Sequence, residues 1–335
     1  MKMNLLLAVM TAIVSTAAVM AGKPTGLDGA SGNIFKFDLK TRSFELLKET
    51  EYDPKTDLGK SRFTVHWDEK TRMTRVTRDT KAKIISEEPA QAEQLATGFW
   101  QATLQGRQDG ERFVVESMQV SPLEDPRATD DPNLPRVLVI GDSISMNYHE
   151  AAKAALKGIA NYHRNEGNSF SSVHGVNNAE LWLGDYRQKG LHWDVIQFNH
   201  GLHDLKQAYD PKTDTFGDYA VSLEVYKQSL EKEIAILKKT GATLIWCSTT
   251  PVPRDNKSRY ARRKGAEEPF NQAAAEVMRR HPEILYNDLH TVVRNSPVYI
   301  NWRNGTDVHF YQKPEQELLG SAVAEAVKTA LKQRK

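Results

Sequence analysis

From Pro135 onward the chain alternates between short apolar runs and longer amphipathic stretches. This alternation is the feature that most limits the folds open to it. The runs are RVLVI, DVIQFN, TLIWCSTT and ILYNDL, rich in β-branched and aromatic residues. MNYHEAAKAALKG reads as a helix after the first run. SLEVYKQSLEKEIAILKKTG repeats its apolar residues at helical spacing and stops at Gly241. The last stretch, EQELLGSAVAEAVKTALKQ, follows Pro314, a residue suited to a first helical turn. Strand–helix alternation implies a mostly parallel sheet with helices on both faces, a three-layer α/β sandwich. In such sheets ligands gather beyond the carboxyl ends of the strands, so the residues just after each strand carry the most information.

Those residues are polar. GDSIS follows the first strand, HGLHDL the second and STTPVP the third, and NGTDVHFY precedes the last helix. A serine, histidines and aspartates thus converge on one edge. Acyl transfer by serine needs such a set. The hydroxyl is a weak nucleophile until an imidazole takes its proton, the imidazolium needs a partner, and the oxyanion needs fixed donors. Ser143 opens a helix, so its own N–H is free to serve as one donor at the positive end of the helix dipole. Read alone, GDSIS fits a helix cap as well as a nucleophile.

Taken together, GDSIS after a strand, NEGNS at Asn165 to Ser169, FNHGLHDL and the later DVHF resemble the SGNH (GDSL) hydrolase superfamily, which is flavodoxin-like in fold. GLHDL followed by TTPVP resembles a bacterial GLHD-type branch associated with polysaccharide degradation. The resemblance spans Arg136 to Lys335. It implies Ser143 as nucleophile, Asp142 shaping its turn, and His309 as general base. It implies an oxyanion hole from the N–H groups of Ser143 and Gly167, with Gly175 as the alternative glycine, and from His203. His203 stands where the broad family has asparagine, and an imidazole N–H can donate as an amide does. Asp204 beside it is a supporting residue, and either it or the backbone can fix the His203 tautomer. The family places its acid three residues before the histidine, whereas position 306 is threonine and the acid here is Asp307. Residues two apart in an extended segment point to one side, ~6–7 Å along the chain. Either the loop bends and Asp307 completes a Ser–His–Asp triad, or a Ser–His dyad operates.

The rest of the chain differs in pattern. Residues 22–120 show short alternating runs, with Asp109-Gly110 as a hairpin signal, and read as a small antiparallel β domain. Residues 121–135, rich in Pro and Asp, read as a linker before the hydrolase domain at 136–335, with the boundary near Asp131. Residues 1–21, a lysine followed by an apolar run and small residues, read as a signal peptide, which implies a periplasmic or secreted protein without stable membrane insertion. Lys and Arg total 45 against 43 acids, well interspersed, which leaves no nucleic-acid footprint. Cys247 is the single cysteine and lies in an apolar strand. No His/Cys/Asp cluster has metal-ligand spacing, so neither a metal nor another cofactor is expected. His200, His149 and His290 read as structural. Trp302 reads as core or sugar-stacking, and the basic stretch Arg254 to Lys264 as solvated surface or a contact for an acidic glycan.

The resemblance to the polysaccharide-associated branch implies a serine esterase that removes small acyl groups, chiefly acetyl, from an acylated carbohydrate. The alternatives are a lipid or thioester hydrolase of the same fold, and a carbohydrate-binding protein without catalysis.

Overall fold

Alternating apolar residues build the first unit of the fold. In the computed structural model, residues 27–334 are described except 50–59, 80, 82, 98, 111, 124–125, 185, 188–189 and 259–260. The leader expected over 1–21 lies outside the described residues. Strands β1 (Ser31–Asp38), β2 (Ser43–Glu49), β3 (Lys60–His66), β4 (Arg72–Arg78) and β5 (Ile84–Pro89) precede a one-turn helix, α1 (Ala92–Leu95). The long hairpin β6 (Trp100–Asp109) and β7 (Arg112–Pro122) follows. The sheet order is β3-β2-β1-β6-β7-β4-β5, with β3 also paired to β7. That extra pairing closes β1, β2, β3, β7 and β6 into a five-stranded barrel, and β4 and β5 extend it from β7. Most of its pairings are antiparallel, while β7 pairs in parallel with β3 and with β4. One long strand offers its amino-terminal half to β3 and its carboxyl-terminal half to β4, and this fixes both directions. Phe44, Leu46, Val65, Leu104 and Met118 fill the interior.

The second unit is the parallel sheet. Its strands are β8 (Arg136–Ile140), β9 (Asn161–Arg164), β10 (Val195–Phe198), β13 (Thr243–Cys247) and β14 (Leu285–Asn287). A small exposed hairpin, β11 (Gln207–Asp210) and β12 (Thr215–Tyr219), is inserted after β10. The order β14-β13-β10-β8-β9 is parallel throughout. It reverses between β8 and β10, which makes that gap the topological switch point. Helix α2 (Ser143–Ala155) packs on α7 (Lys313–Gln333), beside α6 (Leu289–Asn295). Helices α3 (Ser172–Leu183), α4 (Leu223–Leu237) and α5 (Glu267–Met278) form the other layer. Strands β8 and β10 are buried along their whole length, as a sheet covered on both faces requires.

Between the units, β7 runs on to Pro122, and the chain then turns through Pro126–Thr129. The Arg127 guanidinium donates to the Leu191 carbonyl and lies 5.1 Å over the Trp193 ring. Asp130 binds Arg136 Nε at 2.6 Å and His163 Nε2 at 2.9 Å. The segment from Arg127 is thereby fastened to the parallel-sheet unit. The barrel meets that unit at α3, where Arg62 contacts Glu180 at 3.2 Å and the Asn177 carbonyl.

Candidate active site

The turn after β8 begins the site. Gly141 is forced by close approach, since a Cβ there would lie 2.8 Å from Ser145 Cβ. Asp142, 1% exposed, caps α2 by accepting the Ile144 N–H at 2.9 Å. The cap sets Ser143 at the first helical position, where an N–H has no partner within the helix, and among the described residues the Ser143 N–H has none. The helix cap is therefore Asp142 and not Ser143, which leaves the Ser143 side chain free of a capping role.

The segment before α7 brings His309 to Ser143. Val308 and Phe310 are buried while Asp307 and His309 lie on the open side, which is the alternation of an extended strand. Asn147, one turn past Ser143 on α2, accepts the Phe310 N–H at 2.9 Å, and Gln316 and Trp302 hold the Phe310 and His309 carbonyls. The helix that carries Ser143 thus also anchors the histidine segment. His309 Nε2 lies 2.9 Å from Ser143 Oγ, and His309 Nδ1 lies 2.6 Å from Asp307 Oδ1. The two-residue spacing works because the same Asp307 oxygen accepts the His309 backbone N–H at 3.0 Å. This side-chain turn curls the segment enough to bring carboxylate and ring together. Tyr311 donates to the other oxygen at 2.9 Å. Partial burial pushes the Asp307 carboxyl up, and the hydrogen bonds from His309 and Tyr311 outweigh it, leaving the carboxyl below its ordinary range.

The remaining sequence candidates lie in the loops after β9 and β10. Gly167 is exposed with left-handed backbone, and among the described residues its N–H has no acceptor. Its carbonyl takes Arg164 Nη2 at 2.7 Å. Arg164 Nη1 also reaches Ser145 Oγ at 3.3 Å, so one guanidinium ties this loop to the Ser143 turn. Gly175 is set aside as an oxyanion donor, because its N–H is spent on the Ser171 carbonyl inside α3. Gly201 permits the close passage of Thr249, whose Oγ1 would lie 2.1 Å from a Cβ there. His203 follows in the same turn, with its ring edge-on to Phe170 at 5.2 Å. Its Nδ1 lies 2.8 Å from Lys206 Nζ. An ammonium only donates, so Nδ1 is the acceptor and the ring proton sits on Nε2. Lys206 therefore sets the tautomer. Asp204 instead accepts the Ser172 N–H at 2.9 Å and its hydroxyl at 2.6 Å, holding the start of α3.

His200 is wholly buried, and its ring hydrogen-bonds Glu233 Oε1 at 3.2 Å and the Phe170 carbonyl at 3.2 Å. Burial works against its charge, but Glu233 prevails and pushes the imidazolium up to about 9. Trp302 stacks on Phe310 at 4.8 Å as part of the core. Cys247 is buried, which pushes its thiol up. The basic stretch borders the histidine segment through Arg254 to Asn304 and Asn256 to Thr306. Sequence reasoning missed Lys206, Phe170, Arg164 and Asn147. Only Lys206, the lysine directly after HGLHDL, left a readable trace.

No family model matches the chain, and no curated protein matches it. Solved structures similar to it include a GDSL-like lipase from Bacteroides thetaiotaomicron, at 13% identity and TM-score 0.41 over 58% of this chain and 88% of that one. An acetylxylan esterase from Geobacillus stearothermophilus is 15% identical with TM-score 0.41, over 58% and 94%. A lipase/acylhydrolase from Enterococcus faecalis is 14% identical with TM-score 0.43, over 58% and 96%.

Proposed function

We propose that this chain is an SGNH-type serine esterase, periplasmic or secreted, that removes acetyl or similarly small acyl groups from a carbohydrate. The observation that carries the reading is the hydrogen-bonded chain Asp307–His309–Ser143, with Ser143 at a helix start. His309 Nε2 takes the proton as Ser143 Oγ attacks the ester carbonyl. The Ser143 and Gly167 N–H groups and His203 Nε2–H receive the oxyanion. The imidazolium, supported by Asp307, returns the proton to the leaving sugar hydroxyl. Water, activated by His309, then releases the acid and frees Ser143. Asp307 and Tyr311 are exposed, so the dyad's acid partner lies at the open surface. An open site suits a small acyl group on a large chain. The resemblance of GLHDL and TTPVP to a polysaccharide-associated branch points to the same substrate class. The test is acetate release from a panel of acetylated polysaccharides, compared with triglyceride and acyl-thioester hydrolysis. Acetate release from at least one glycan, abolished in Ser143→Ala, is expected. Activity confined to lipids or thioesters overturns the substrate class.

A further inference from the structure

Beneath the Ser143 turn lies a cavity of about 10 Å³, bounded by Gly141, Asp142, Asn199, Ser248 and Thr250 among others. That is room for roughly one water molecule. Two of the lining residues carry a buried polar atom with no partner among the described residues, Asp142 Oδ2 and Thr250 Oγ1. Their residues are 1% and 3% exposed. Neighbouring polar groups are committed elsewhere. Asp142 Oδ1 holds the Ile144 N–H, the Ser248 hydroxyl donates to Asp288, and Asn199 Nδ2 donates to the Cys247 carbonyl. A buried carboxylate oxygen and a buried hydroxyl, on residues that line one water-sized space, suit an occupant that both donates and accepts.

We propose that this cavity binds one water molecule between Asp142 Oδ2 and Thr250 Oγ1, and that through it Thr250 is a positioning residue for Ser143. The water donates one hydrogen to the carboxylate and makes its second bond with the threonine hydroxyl. It thereby joins the turn after β8 to the segment after β13, with β10 between them in the sheet. With Oδ2 held, Oδ1 stays on the Ile144 N–H, and the first turn of α2, which carries Ser143, keeps its place. This gives the Thr250 hydroxyl a role that no direct hydrogen bond supplies among the described residues. The positioning part rests on Ser143 being the nucleophile.

The test uses the full chain and Thr250→Val, which keeps the shape and removes the hydroxyl, with Thr250→Ser as the conservative variant. A fluorophosphonate reads the reactivity of Ser143 directly, and p-nitrophenyl acetate separates kcat from KM. Thr250→Val is expected to lower both labelling rate and kcat by about tenfold or more with KM unchanged, and Thr250→Ser to stay within about threefold of the parent. A high-resolution crystal structure should show a water bonded to both atoms in the parent and in Thr250→Ser. An empty cavity overturns the site, and a Thr250→Val protein that labels as fast as the parent overturns the positioning role. If the valine variant does not fold, Thr250→Ala replaces it with the same outcomes. A parent protein that holds the water but never labels at Ser143 refutes the esterase reading and leaves the water site standing.

Discussion

The interior of the barrel holds no buried polar or charged side chain among its described residues, 27–122, whereas the parallel-sheet unit buries many, from Arg127 to Glu315. The two interiors are built on different terms. Phe44, Leu46 and Leu104 leave water and leave no polar group to satisfy. In the second unit each buried polar group must find a partner or destabilise the fold. Those groups cluster beyond the carboxyl ends of β8, β10 and β13: Asp142, then His200, His203, Asp204 and Lys206, then Ser248 to Thr250. Polar burial of that density at the switch point sits where the proposed reaction needs it. The contrast predicts that substitutions in the barrel move stability alone, while substitutions around the switch point move turnover.

Ser143→Ala sharpens the contrast most. It should lower hydrolysis of p-nitrophenyl acetate by at least about 10⁴-fold with an unchanged melting curve, because a methyl cannot attack. In the barrel, Leu46→Ala should cost about 2–5 kcal/mol of that unit's stability and leave kcat as it was. A barrel variant that folds yet loses turnover would break the division.

His203→Ala comes next. Loss of one oxyanion donor lowers turnover by about 10²–10³-fold. His203→Asn should recover part of this. Lys206→Met should cost less, about tenfold, since the ring proton then divides between the two nitrogens. Steady-state kinetics on the three variants check the order. A change in KM alone for His203→Ala would make the residue a substrate contact.

The buried His200–Glu233 pair predicts a pH effect on stability. Its imidazolium, at about 9 in the fold against 6.5 when free, stabilises fully below pH 6.5, and that contribution fades as pH rises through 9. Melting temperature should therefore fall across that window in the parent. In Glu233→Gln the fall should flatten, because the charge that holds the proton is gone. A parent curve that is flat from pH 6.5 to 9 contradicts the pair's assignment.

The smallest effect expected is from removing the barrel. A chain beginning at Pro126 keeps Arg127 and Asp130 and should hydrolyse p-nitrophenyl acetate within about threefold of the full protein. The units meet through partly exposed ion pairs at Arg62 and Glu180, worth about 0–1 kcal/mol. A chain beginning at Asp131 loses the Asp130 contacts to Arg136 and His163 and should melt lower. If both truncations are inactive, the barrel takes part in the site.

The parts of the molecule legible in the sequence are those governed by local pattern. RVLVI and TLIWC are buried strands because every residue in them is apolar or long enough to reach a partner, and α4 and α7 show helical periodicity over many residues. Strand β2, SFELLKE, was not legible, since Leu, Glu and Lys favour helix and only pairing with β1 and β3 makes it a strand. Strand β9, NYHR, is too short and polar to show a period. At the site, Ser143, His309 and Asp307 stand out as residue types, but the turn that joins Asp307 to His309 depends on backbone geometry. The left-handed Phe170, with φ of +48°, and the Lys206 contact to His203 exist only once distant loops meet.

The central claim is that Ser143 forms the covalent intermediate. Mixing the full protein with p-nitrophenyl acetate, quenching in acid and mapping peptides by mass spectrometry tests it directly. Acetyl on Ser143, absent from Ser143→Ala and from unreacted protein, is the predicted result. Turnover with no acetyl on Ser143, or with acetyl on another residue at the turnover rate, would contradict it.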